Sequence, residues 1–227
     1  MRPRDRFILV FLLLSGTLAG YGQNLESVLS AMDRSAVGFR SAQCDLASDQ
    51  YTKVVDEHDA QSGVMYVRRQ GSDTQMVADI TQPDRKIVFF TGGTLRLYQP
   101  AAKTITEYDV GQNKAAVESF LVLGFGGRGH DLPKSFDVKY DGTEHVQGVN
   151  AARLVLTPKS TKMRNMFQTI TLWIDPARGV SVQQKFLNAE GDYRLTKYSN
   201  IQINTKIPDD VFKLKTSGKV TVVRPKG

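Results

Sequence analysis

The chain has 227 residues, 41% of them hydrophobic and 23% charged, the ordinary balance of a globular protein long enough to build a real core. Its formal net charge is +7, but no Lys/Arg cluster interleaved with aromatics argues for nucleic acid. A single cysteine, Cys44, excludes an intramolecular disulfide framework, and with nothing beside it to activate the thiol it reads as a small buried residue.

The first stretch stands apart from the rest. Met1–Arg6 carries three arginines, Phe7–Leu18 is an apolar run, and Gly20-Tyr21-Gly22 has the small-x-small form of a cleavage site. Residues 1–22 therefore read as a secretory signal peptide, too short for a comfortable membrane span, with an uncleaved anchor as the alternative. Cleavage near Gly22 removes three Arg and one Asp, so the net charge falls from +7 to +5. No cysteine follows the apolar run, so the chain does not read as a lipoprotein itself. Residues 23–227 remain as one domain.

Leu25–Phe39 has apolar residues at mostly helical spacing, with Asn24 as N-cap and Gly38 as its end. From Ala42 to Val55 the period shifts to two, the mark of a half-exposed strand. Gly63–Pro100 reads as four short strands broken at Gly71-Ser72-Asp73, Gln82-Pro83-Asp84 and Gly92-Gly93. Strands this close must pair as antiparallel hairpins, because a parallel crossover needs about a dozen residues. In Val64–Arg69, successive side chains point to opposite faces, so Arg68 and Arg69 cannot both face solvent if one face is covered.

Lys103–Val110 is a further strand. Asn113–Leu123 turns to a helix with a broad apolar face, and Gly124–Gly129 ends it in a flexible, glycine-rich loop. Strands resume at Ser135–Tyr140, Glu144–Gln147 and Ala151–Thr157. Met163–Ile174 reads as one long strand with Ile170, Leu172 and Ile174 on one face. Val180–Leu187, Tyr193–Tyr198 and Lys219–Val223 follow, with one helical turn at Pro208–Phe212. About eleven strands and two helices in one unit predict an α+β domain: a strongly curved antiparallel sheet whose hydrophobic concave face is lidded by helices. Such a sheet holds either a packed core or a cavity.

A search for chemistry finds little. His58, His130 and His145 are scattered without metal-ligand spacing and read as surface residues. No nucleophile elbow or zinc motif occurs. Gly124–Gly129 matches G-x-G-x-x-G, but a helix precedes it and Pro133 follows, so it lacks the strand–turn–helix setting of a dinucleotide site. No catalytic residue, metal or cofactor is expected. The apolar helix is either a core plug or a mobile lid.

Four segments carry a resemblance: Met65-Tyr66-Val67-Arg68-Arg69, Thr81-Gln82-Pro83-Asp84, Gly93–Pro100 and Val155-Leu156-Thr157-Pro158-Lys159. In order and spacing the set resembles LolA, the periplasmic carrier of outer-membrane lipoproteins. The resemblance implies an incomplete barrel lidded by helices that shields acyl chains and ferries them from inner to outer membrane. It implies an acylated lipoprotein or lipid cargo, an inner-membrane ABC transporter and an outer-membrane receptor as partners, and no enzymatic activity. An arginine that couples the lid to cargo transfer falls on Arg69, with Arg68 as its rival; where the family has proline next, this chain has Gln70. On this reading the cavity lining comes from Val67, Phe89, Leu97, Phe120, Leu121, Leu123, Phe125, Ile170 and Leu172, in a periplasmic monomer. A periplasmic sensor domain of the same shape, and a carrier of another lipid such as a glycolipid, are the alternatives.

Overall fold

The structure, a computed structural model, describes residues 18–71, 73–111, 117–118, 121–216 and 218–225, with backbone alone for 18–23. Most of the expected signal peptide therefore lies outside the described residues. Helix α1 runs Leu18–Gly38. Twelve strands follow: β1 Ser41–Thr52, β2 Glu57–Gln70, β3 Asp73–Gln82, β4 Lys86–Thr91, β5 Thr94–Gln99, β6 Thr104–Asp109, β7 Phe136–Val146, β8 Val149–Pro158, β9 Thr169–Asp175, β10 Val180–Leu187, β11 Tyr193–Ile203 and β12 Thr221–Val223.

All twelve belong to one curved, unclosed sheet ordered β12-β6-β5-β4-β3-β2-β1-β11-β10-β9-β8-β7. It consists of two antiparallel meanders, β1–β6 and β7–β11, joined where β1 pairs β11 from Ala42↔Ile203 to Tyr51↔Tyr193. The four hairpin strands expected between Gly63 and Pro100 are β2 to β5, turning at the expected breakers. β12 adds parallel to β6 at the edge.

Helix α1 begins at Leu18 rather than Leu25, so Asn24 lies within it and is not its N-cap. Three strands also differ from expectation. β7 runs straight through Asp141-Gly142, which form a bulge instead of a turn: Gly142 has φ +91 and the register slips between Tyr140 and Thr143. Arg153 binds Asp141 across it at 2.7 Å. The long strand expected from Met163 starts only at Thr169, because Ser160 Oγ accepts from Met163 N–H and caps the helical turn Thr161–Arg164. β2 begins at Glu57, seven residues before the apolar signal at Val64, since pairing with β1 carries it down to Thr52↔Glu57 without burial.

The sheet is packed on both faces. On the inner face, Val28, Leu29 and Met32 of α1 lie against Leu154, Leu156, Ile170 and Leu172, each of the four strand residues fully buried. On the outer face, the chain after β11 crosses back over the first meander. There Ile207, Phe212 and Val220 pack against Val77, Ile87, Tyr98 and Ile105. The Arg68 guanidinium lies 4.0 Å from the Phe212 ring centroid and bonds Asp209 at 2.5 Å, fastening this strap. The expected helical turn at Pro208–Phe212 is its 3-10 turn, Asp209–Phe212. Phe212→Ala should therefore speed tryptic cleavage after Lys213 and Lys215 and lower stability by roughly 3 kcal/mol. Denaturant melts and a digestion time course check both.

Candidate functional site

The segment joining the two meanders must cross the inner face, and it does so beside α1. Of the helix expected at Asn113–Leu123, residues 113–116, Ser119 and Phe120 lie outside the described residues, while Val117, Glu118 and Leu121 are helical. The glycine-rich stretch that follows is not a flexible loop. Phe125 is 1% exposed and meets Tyr198 edge-on at 4.9 Å between centroids. Gln184 Nε2 donates to Leu123 O at 2.6 Å, Tyr198 Oη donates to Gln184 Oε1 at 3.1 Å, and Ser181 N–H donates to Gly124 O at 2.8 Å. These bonds lie in the buried interior, where an unmade bond would be costly, so they fix the turn to β10 and β11.

Two glycines permit that approach. Gly124 (φ +79) and Gly126 (φ +80) adopt the left-handed region. A Cβ at Gly124 would stand 2.5 Å from Ser181 Cβ, and one at Gly126 would stand 2.4 Å from the Phe39 ring. The G-x-G-x-x-G match is thus a packing device.

The two arginines point to opposite faces, as alternation requires. Arg69 reaches the inner side, where Nη1 donates to Ala36 O at 3.1 Å and Nη2 to Gly126 O at 2.5 Å, with Phe39 beneath it at 5.4 Å. It ties the end of α1 to the joining turn. Arg68 lies under the outer strap, bonded to Gln75 at 2.7 Å and to Asp209.

The expected lining residues divide. Val67 and Phe125 are buried together in the core beneath Phe39, and Leu123, Ile170 and Leu172 in the core beneath α1. Leu97 shares the inner register through Val88, Ala78 and Met65, and stays half-buried. Phe89 does not belong with them. Its register partner is Val77, and it packs outward against the strap with Tyr98 and Phe212. The adjacent Phe90 takes the inner register with Met76 and Val67 and is fully buried, a one-residue error of parity.

Leu121 does border open space. A mostly apolar cavity of ≈ 400 Å³ lies beside it, lined by Met65, Met76, Met166, Phe167 and Phe186, with Tyr193, Tyr198 and the polar Gln50, Gln184, Asn188, Asp192, Arg194 and Thr196 also bordering it. Phe167 and Phe186 meet with their rings tilted, 5.4 Å between centroids. The sequence reading missed these residues: it took Val67 rather than Met65 from β2 and nothing from β3 or β10, and Phe167 precedes β9 instead of lying on it. Its charged side chains are engaged: Asp192 accepts from Lys53 N–H at 2.9 Å and from Asn188 Nδ2 at 3.3 Å, and Arg194 Nε donates to Gln50 Oε1 at 3.1 Å. Cys44 is buried nearby in the core, and burial pushes its thiol up to about 12.

A second tether joins α1 to the chain just past the turn. His130 lies in a 3-10 turn, with Nδ1 2.5 Å from Asp33 Oδ2 and Nε2 3.1 Å from both Glu26 oxygens. All three histidines are exposed; His58 pairs with Asp49 at 2.9 Å and His145 meets Asn150 Oδ1 at 3.0 Å, both within strand hairpins rather than on α1. The hydrogen bonds to Asp33 and then Glu26 raise the His130 pKa, and its bond holds Glu26 below the usual carboxylate value. At Asp33 desolvation works upward, but the His130 bonds outweigh it and hold the carboxyl low. A raised histidine contributes stability that is complete below its unfolded value and lost as pH rises through the folded one. The lowered carboxylates lose theirs as pH falls. The tether is therefore tightest between the carboxylate and histidine ranges. Amide-exchange protection at residues 129–131 should fall as pH rises from about 6 to 9, after correction for intrinsic exchange, and His130→Gln should flatten that dependence.

The fold is thus a curved open sheet with a mostly apolar cavity beside a tethered crossing segment. Residues 48–215 match the family model "Outer membrane lipoprotein carrier protein LolA", and the chain belongs to that family. Among the described residues, no helix is long and apolar enough to cross a membrane. Comparison with curated proteins gives no match. Among solved structures, an uncharacterized conserved protein from Thermus thermophilus aligns at TM-score 0.56 and 11% identity, over 88% of this chain and 98% of that one. MucB, known also from the Pseudomonas aeruginosa MucA/MucB complex, aligns at TM-score 0.53 and 14% identity over 89% of this chain and 66% of its own. A putative outer membrane lipoprotein-sorting protein domain from Vibrio parahaemolyticus aligns at 0.44 and 12% identity, over 84% and 96%. At these identities the likeness is one of fold. Members of the LolA family are binding and carrier proteins rather than enzymes, periplasmic or exported, and the fold points to lipoprotein or lipid binding.

Proposed function

We propose that this protein is a non-enzymatic periplasmic carrier that takes acyl chains of lipoproteins into its inner-face cavity and ferries them from the inner to the outer membrane. The observation that carries this reading is the apolar cavity of ≈ 400 Å³ bordered by Leu121, Met65, Met76, Phe167 and Phe186, placed beside the crossing segment in a LolA-family chain. In this reading residues 1–22 are the export signal, cleaved near Gly22, and 23–227 form the single carrier domain, working as a monomer. An inner-membrane ABC transporter supplies the cargo and an outer-membrane receptor accepts it.

The physical need is plain. Each CH₂ kept from water is worth about 0.8 kcal/mol, so acyl chains exposed during transit would cost on the order of tens of kcal/mol. Binding must still be reversible, which calls for a closed state of limited stability. Arg69 supplies one: it holds α1 to the joining turn by bonds to two main-chain carbonyls, strong enough to close and cheap to exchange for water. Arg68, fastened on the other face, does not take this role.

Native mass spectrometry of protein purified from the periplasm without detergent, followed by organic extraction, tests the function. Acylated adducts lost on extraction are expected, and their masses name the cargo. Apo protein that also fails to bind an added acylated peptide would overturn the carrier reading. In a carrier-to-receptor transfer assay, Arg69→Leu should loosen the closed state and retain cargo after uptake, while Arg68→Leu transfers normally. Equal transfer by both variants would remove the coupling role from Arg69.

A further inference from the structure

A second cavity, of ≈ 580 Å³, opens next to the joining turn. Its walls include Met32 of α1, Leu123, Leu132, Phe136 and Met163, all apolar, while Arg69, Arg128, Lys134 and Asp131 also border it. Lys134 and Asp131 neutralise one another at 2.6 Å. The other two charges stand uncompensated. Arg69 spends its N–H groups on the neutral carbonyls of Ala36 and Gly126. The exposed Arg128 side chain has no hydrogen-bond or ion-pair partner among the described residues. The neighbouring Glu26–Asp33–His130 cluster satisfies itself and does not line the cavity.

A mostly apolar chamber bordered by two guanidinium charges without an ionic partner among the described residues has one natural complement. We propose that this cavity is a binding site, separate from the acyl cavity beside Leu121, for a single-chain amphiphile with an anionic carboxylate or phosphate head. The tail enters among Met32, Leu132, Phe136 and Met163, and the head lies on Arg128 and Arg69. Guanidinium is suited to this because its planar fork matches both oxyanions, and a charged acceptor bonds it more strongly than a neutral carbonyl does. The head therefore competes with Ala36 O and Gly126 O for Arg69. Occupancy of this site and release of α1 from the joining turn are consequently linked. A cationic head is repelled by both arginines, and a neutral one gains only the weaker bonds of an uncharged acceptor.

Isothermal titration of the mature protein below micelle concentration tests the assignment, with dodecanoate, monododecyl phosphate, dodecyl maltoside, dodecyltrimethylammonium and inorganic phosphate as probes. At least one anionic amphiphile should bind tenfold or more tighter than the neutral and cationic ones, and the tighter of the two identifies the head. Lengthening its tail should tighten binding by about fourfold per CH₂ until the chamber is full. Arg128→Glu, a change at an exposed side chain, should weaken the anionic probe at least tenfold while binding of an acylated peptide is unchanged. Met163→Trp, which fills the chamber, should weaken it as well. Equal binding of all heads, inorganic phosphate binding as tightly as its dodecyl ester, or an Arg128→Glu protein that keeps full affinity would each overturn the proposal. None of these outcomes touches the carrier reading, which the acylated peptide tests separately.

Discussion

The pairing of β1 with β11 is the constraint on which the rest of the molecule depends. Nine residues of β1, from Ala42 to Tyr51, find partners on a strand far along the chain, the first of them Ile203. That contact joins two local meanders into one sheet, and the joining segment crosses its inner face. The crossing turn, the cavity beside Leu121 and the seat of α1 all follow from it. Because the partners are so distant in sequence, the closure entropy of this pairing must be met by burial on both sides of the seam. Leu46 and Tyr198, direct partners across it, are both buried in the inner core.

The crossing segment is held by contacts of two kinds. Where it meets β10 and β11 the bonds are buried and neutral: Gln184 to Leu123, Ser181 to Gly124, and the Phe125 ring on Tyr198. Where it meets α1 the bonds are charged and partly wet: Arg69 to Ala36 and Gly126, and His130 to Asp33 and Glu26. Buried bonds resist opening because their polar groups would be stranded, whereas solvated ion pairs exchange with water at little cost. The design places the weak seam between α1 and the turn. On the proposed carrier reading, such an asymmetry lets the protein both hold and surrender its ligand.

The outer face has its own logic. A curved sheet with an apolar strip on its convex side exposes a surface that must be covered, and the chain after β11 supplies the cover from its own length. Arg68 and Phe89 belong to this second layer, one residue out of phase with Arg69 and Phe90. Neighbouring positions on a strand can thus serve two different cores.

Periodicity and turn chemistry determined a good deal. Gly71, Pro83 and Gly92-Gly93 delimited the hairpins from β2 to β5, Gly38 ended α1, and alternation required Arg68 and Arg69 to part. Ile170 and Leu172 were legible as one buried face because consecutive strand residues point oppositely. Sequence could not give the parity that makes Phe90, rather than Phe89, an inner residue, since two adjacent phenylalanines are equivalent until a register is chosen. It could not show that Gly124 and Gly126 anchor a turn, because their purpose lies in Ser181 and Phe39, which only folding brings near. Nor could it find Met65, Met76 and Phe186 around one space, or His130 between two carboxylates of α1. Local patterns decide which residues form each strand; only the long-range β1–β11 contact, a property of the whole chain, decides which side chains meet.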